Sequence, residues 1–206
     1  PGGSRGPIED LADRLRNAGA PVVCASSVKN GVLRGVDLVT TAVLKRSDYR
    51  VGMVDLYSGN AFLWGEALSI VLQRMGCPFV LVMHGGGLPD FARDHPGRVS
   101  ACLRRASVVT APSRFLQEAM SVYRADIRLI PNPLDLSIYD YRHRIAPKPT
   151  IIWLRAFHSI YNPPLAPRAL ALISREFPEA RMIMVGPDKG DGSLAKTKQE
   201  ASRLKV

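Results

Sequence analysis

The 206 residues carry 28 Lys and Arg against 18 Asp and Glu, a formal charge of +10, with 46% hydrophobic and 22% charged residues. This balance excludes a disordered chain, and no uninterrupted apolar run reaches the roughly 18 residues that span a membrane as a helix. The basic excess favours anionic partners, but basic and aromatic residues never interleave on one element, so nucleic acid is the least expected of them.

Gly2 and Gly3 lie in a glycine-rich loop ahead of a helix, with Ile8, Leu11, Ala12, Leu15 and Ala18 at helical spacing and Gly19 as its C-cap. Residues 21–26 read as a strand, 29–35 as a loop and 36–45 as a second helix. A strand over 51–56 ends at Tyr57-Ser58-Gly59, and Asn60 is placed to cap a helix over 61–75. Phe79 to Met83 is continuously apolar, as a strand buried on both faces would be, and it ends at His84-Gly85-Gly86-Gly87. Residues 88–97 read as a loop and 99–106 as a helix, followed by a strand at 108–110. Ser113 caps the next helix, with Phe115, Leu116, Ala119 and Met120 expected on its buried side, and a strand over 127–130 follows. Cys24, Cys77 and Cys102 lie far apart in apolar runs and predict buried free thiols, without a disulfide or zinc site.

Pro131-Asn132-Pro133 then stops any strand or helix, because proline lacks the ladder N–H and restricts the residue before it. A proline-bearing passage leads to a fresh apolar run, Thr150 to Leu154, that ends on Arg155. Asn162-Pro163 is expected to open a helix reaching Phe177. A strand at 181–185, the glycine-rich stretch Gly186 to Ser193 and a helix over 194–204 complete the chain. Strands alternating with helices imply α/β architecture with doubly wound parallel sheets, divided into residues 1–146 and 147–206. Two strands seldom suffice for an independent domain, so 147–206 is expected to be the start of a longer one.

In such sheets ligands bind beyond the carboxyl ends of the strands. That rule makes Gly2, Gly3, Ser58, Asn60, His84, Gly85, Ser113, Asn132, Arg155 and Gly186 the candidate site residues. Gly186 to Ser193 lacks the GK[ST] of a phosphate-binding P-loop. His84 with its glycines fits either the oxyanion loop of an esterase or a hydrogen-bonding group in a sugar cleft. The esterase reading would need Ser4 as nucleophile, and Ser4 lies upstream of the loop it should follow. His95, His143 and His158 have no metal-ligand spacing, and Trp64 and Trp153 are expected in the core.

Five stretches in order, FVLVMHGGG, ASVVTAPSRFL, IRLIPNPLDLSIYDYR, IIWLRAFHSIYNP and ARMIMVGPDKGDGS, resemble the motifs of family 4 nucleotide-sugar-dependent glycosyltransferases. The resemblance implies two Rossmann-like domains of the GT-B type, the first strand and most of the donor domain lying outside this sequence. It implies transfer of a sugar from a nucleotide diphosphate sugar, with retention at the anomeric carbon. The acceptor would be a glycan, lipid or small molecule, with no cofactor and no essential metal. His84 would meet the transferred sugar. Gly2 and Gly3 would lie near the donor phosphate, with Gly186 and Lys189 on the donor side, and Arg155 would neutralise the diphosphate. The family's lysine about six residues after the arginine is replaced by Tyr161, a gap that Lys189 could fill. Its two donor-binding glutamates fall beyond Val206, so the chain as given is expected to be inactive alone. The alternatives are a non-catalytic binding module of the same fold and a nucleotide-sugar epimerase. The expected location is cytoplasmic, with peripheral membrane contact as its variant.

Overall fold

The computed structural model describes residues 7–25, 28, 30–133, 136–146 and 148–206. Gly2, Gly3 and Ser4 lie outside them. The chain divides into two compact units, one ending at Leu136 and the other starting at Ser137.

The first unit is built on four parallel strands in the order β1 (Gly52–Leu56), β2 (Phe79–Met83), β3 (Val108–Ala111) and β4 (Arg128–Leu129). Its helices are α1 (Pro7–Asn17), α2 (Gly31–Leu44), α3 (Phe62–Arg74), α4 (Leu88–Asp94), α5 (Pro96–Arg105) and α6 (Arg114–Met120). The architecture is therefore the expected parallel α/β one. Alternate strand residues Val54, Leu56, Phe79, Leu81 and Met83 pack with Phe62, Leu72, Val99, Leu103 and Met120 of the helices into one core. Burial of this apolar area is the main stabilising term. Arg124 closes the α5–β3 turn from outside the core, donating to the Leu103, Ala106 and Ser107 carbonyls.

Several expectations change here. Described residues 21–25 form no strand, for they hydrogen-bond to no neighbouring strand and face β1 across a cavity. Cys24 is accordingly exposed, with an Arg16 guanidinium nitrogen 2.9 Å from its sulfur, whereas Cys77 and Cys102 are buried. The expected loop at 29–35 is helical from Gly31, because the Asn30 side chain accepts the Val32 and Leu33 N–H groups. Gly35 is needed within that helix: a methyl there would stand 2.0 Å from the Trp64 ring. The expected loop at 88–97 contains α4 and the start of α5, each opened by a proline in its first turn. Phe115 is 61% exposed, and Leu116 and Met120 alone form the buried side of α6.

The second unit pairs β5 (Thr150–Leu154) with β6 (Arg181–Val185) in parallel, beside α7 (Leu165–Ile173) and α8 (Ser193–Leu204). Asn162 does not cap α7. It adopts a left-handed conformation (φ 47°) that closes the short turn Ser159–Tyr161, and α7 begins after Pro164. Glu200 on α8 accepts from Arg203 and, 2.7 Å away, from Arg168 of α7. These two guanidinium groups hold its carboxyl down to about 2, from an ordinary 4.5. A carboxylate depressed on folding contributes stability that is present above the unfolded value and is lost as pH falls through the folded one. Amide spectra of 165–204 are therefore expected to lose dispersion between pH 4.5 and about 2, with Glu200→Gln flattening that limb. An acid transition identical in the variant would refute this assignment.

Among the described residues, no helix is long and apolar enough to cross a membrane.

Candidate functional site

The parallel register brings the carboxyl ends of β1 to β4 to one edge of the first sheet. His84 stands one residue past β2, and its N–H continues the ladder to the Leu56 carbonyl at 2.9 Å. The residue is nearly buried, at 7% exposure, and Nε2 lies 2.9 Å from Asp55 Oδ1 on β1. The Tyr57 ring stacks on the imidazole at 4.9 Å, with planes 16° apart. Burial, and secondarily the Asp55 charge, push the Tyr57 phenol above its ordinary pKa. The imidazole is thus held along one edge by a carboxylate and across one face by a ring.

Gly85 follows in a left-handed conformation (φ 81°) that turns the chain away from the strand. Gly87 then brings the chain back to Ser58, whose Oγ would lie 3.3 Å from any Cβ at that position. Ser58, His84 and the glycine turn therefore form one cluster. Asn60 is exposed in the turn Gly59–Ala61 and makes no cap, because α3 begins after Ala61. Ser113, past β3, caps α6 through its Oγ, 3.3 Å from the Leu116 nitrogen. Asn132 is exposed past β4. Both follow strands of the same sheet edge, Ser113 past β3 and Asn132 past β4.

A cavity of about 560 Å³ lies behind this edge, among α1, residues 21–25, α2, α3 and β1. Its lining is largely apolar, and Asp55 and Tyr57 are among its polar groups.

In the second unit the loops after β5 and β6 are laced together. Arg155 N–H donates to the Val185 carbonyl at 3.1 Å, Phe157 N–H to Pro187 at 2.8 Å, and Lys189 N–H to Phe157 at 3.2 Å. Gly186 is forced by this closeness, since a Cβ there would stand 1.6 Å from the Arg155 carbonyl oxygen. The exposed Arg155 guanidinium lies 5.3 Å over the Tyr161 ring, so the residue in place of the expected lysine carries the arginine. Asp191 accepts the Ser159 N–H at 2.7 Å and the Ser193 N–H at 3.0 Å. These backbone donors, that of Ser159 foremost, hold its carboxyl well below the usual carboxylate range. One of the first amides of α8 thus already meets an anion from within the chain. His158 accepts the Ile160 N–H at 3.2 Å and serves the turn. Trp153 packs near Phe157, and Trp64 against Gly35.

Asp55 is the site residue that sequence reasoning missed. Its one signal was an acidic residue inside an otherwise apolar strand. Among the described residues, no three His, Cys, Asp or Glu side chains converge as a metal site.

No protein-family model matches the chain, and no curated protein does. Among solved structures it is similar to one of accessory secretory proteins 1, 2 and 3 from Streptococcus pneumoniae, with 12% identity and a TM-score of 0.48 over 84% of this chain. It is also similar to UDP-GlcNAc 2-epimerase from Neisseria meningitidis bound to UDP-GlcNAc, with 11% identity and a TM-score of 0.44 over 87% of this chain. The chain spans 34% of the first and 53% of the second.

Proposed function

We propose that this chain is the acceptor-side domain and the opening of the donor-side domain of a GT-B glycosyltransferase of family 4. The enzyme moves a sugar from a nucleotide diphosphate sugar to a glycan, lipid or small-molecule acceptor, with retention of configuration. The observation that supports it is the nearly buried His84, fixed beside a glycine turn at the carboxyl edge of a parallel sheet. A held imidazole suits hydrogen bonding to a sugar hydroxyl. Arg155 offers an exposed guanidinium to a diphosphate, whose developing charge is the main electrostatic demand of such a transfer. Ser58, Gly85, Ser113 and Asn132 would border the acceptor side, and Gly186 and Lys189 the donor side. Gly2 and Gly3 keep the phosphate-loop role that the resemblance assigns them. No metal or cofactor is required for this chemistry.

Binding of UDP, GDP, UDP-glucose and GDP-mannose to a protein that carries the complete donor-side domain tests the proposal by calorimetry. One nucleotide is expected to bind, and Arg155→Ala to weaken it roughly tenfold or more, about 1.4 kcal/mol. Absence of binding by every nucleotide, or binding indifferent to Arg155, would sink it. The stacking of Arg155 on Tyr161 favours a second reading, a module that binds nucleotide sugars without transferring the sugar. Nucleotide binding by a full-length protein that never consumes donor would select it. Donor conversion without any acceptor would select the epimerase instead.

A further inference from the structure

We propose that Asp55 is the positioning residue of this site: it fixes the tautomer and orientation of His84, leaving Nδ1 as the atom presented to a ligand hydroxyl. The ligand half of this statement rests on the sugar-binding reading above. The positioning half does not.

The geometry carries it in three steps. First, the backbone on both sides is pinned. Asp55 pairs with Val82 in the β1–β2 register, and the ladder continues from Leu56 to the His84 N–H. The carboxylate and imidazole therefore start from fixed Cα positions on adjacent strands. Second, the 2.9 Å contact joins Asp55 Oδ1 to Nε2. An ionised carboxylate only accepts, so the shared proton resides on Nε2. In the neutral ring this makes Nδ1 the acceptor, able to receive a hydroxyl proton. Third, Nδ1 has no hydrogen-bond partner among the described residues, yet no buried side-chain nitrogen or oxygen among them lacks one. Nδ1 therefore retains some access to solvent, although the residue as a whole is 7% exposed.

Tyr57 completes the arrangement. Its ring lies nearly parallel to the imidazole and restricts rotation of that ring about its own bond to the chain. A free histidine on a turn would sample both tautomers and several orientations. Here the carboxylate selects one tautomer and the phenol ring helps to hold one orientation, so the direction of Nδ1 is set before any ligand arrives. Preorganisation of this kind lowers the ordering cost of binding.

The test reads the ring itself. Nitrogen-15 spectra of the histidine rings, with His84 assigned through His84→Gln, report the proton position directly. In the intact chain the neutral His84 ring is expected to favour Nε2–H by roughly tenfold or more, as a bond to a charged acceptor should. Asp55→Ala is expected to collapse that preference toward the mixture of a free imidazole. Asp55→Asn keeps an acceptor oxygen in place, is less disruptive to folding, and is expected to retain a weakened preference. Unchanged β1 and β2 amide signals separate loss of orientation from loss of fold. A ring carrying its proton on Nδ1, or a tautomer ratio indifferent to both substitutions, would overturn the proposal. Adding UDP-glucose to the intact chain then tests the ligand half. A shift of the Nδ1 resonance supports sugar contact at that atom. A locked tautomer with no shift under saturating UDP-glucose keeps Asp55 as positioning residue and removes His84 from sugar binding.

Discussion

Gly186→Ala is expected to unfold residues 137–206 while leaving the first sheet intact. The added Cβ would stand 1.6 Å from the Arg155 carbonyl oxygen and 2.5 Å from its carbon. Both are backbone atoms, so no rotamer change relieves the clash, and the loops after β5 and β6 must part. Parting them breaks the bonds from Phe157 to Pro187 and from Lys189 to Phe157. Overpacking of this kind costs about 1–3 kcal/mol, and occasionally more, where no side chain can give way. The second unit has little reserve to absorb that, since its buried hydrophobic residues are few, with Phe157, Ala166 and Leu170 among them. Hydrogen exchange resolved by residue is the appropriate measurement. Loss of protection confined to β5, β6, α7 and α8 is the expected result. Gly31→Ala is the control, because a methyl there meets nothing within 4 Å. Native protection of β5 and β6 in the Gly186 variant would mean that the close approach is not real.

Phe62→Ala is the corresponding experiment in the first unit. Phe62 is fully buried at the start of α3, its ring 4.9 Å from that of Phe91 on α4 and 5.5 Å from the Arg98 guanidinium on α5. Arg98 is in turn tied to Glu66, one turn along α3, with Nε 3.2 Å from the carboxylate. One aromatic ring thus joins three helices to the sheet. Its removal should cost about 3–5 kcal/mol, the transfer term plus a cavity that fixed strands cannot close. Urea denaturation would show the midpoint shift. The loss should exceed that of Glu66→Gln, which removes a partly exposed pair worth about 1 kcal/mol or less. Equal losses would show that the ring is not the hub.

The elements legible in the sequence were those whose signal is local. β2, β5 and β6 are short apolar runs with sharp ends, and all three lie where the pattern places them. Ser113 caps α6 as its residue type and position suggest. What failed did so for tertiary reasons. Residues 21–25 have a strand's composition, but a strand exists only where a neighbour supplies its ladder, and none does among the described residues. Residues 88–97 were read as a loop, whereas Pro89 and Pro96 each stand in the first turn of a helix, where the missing N–H costs nothing. The first turns of α2, from Gly31, were likewise read as loop. In the site, His84 was legible because it ends a strand. Asp55 was not, because its meeting with His84 depends on the register of β1 against β2. Gly186 was read as a donor-side loop glycine. The backbone it admits is that of Arg155, which spacing alone could not reveal.

The parallel sense of every described strand pair also governs how the chain reaches this structure. Gly52 pairs with Phe79, Val80 with Val108 and Thr150 with Arg181, each across one or two intervening helices. No hairpin can nucleate either sheet, so every pairing must first meet the entropy of closing a long loop. Contacts of such high sequence separation make folding slow relative to helical bundles of similar stability. During that interval apolar strands such as Phe79 to Met83 are unpaired and open to association with other chains. Refolding yield should therefore fall steeply with protein concentration, even for sequence variants whose native stability is unchanged.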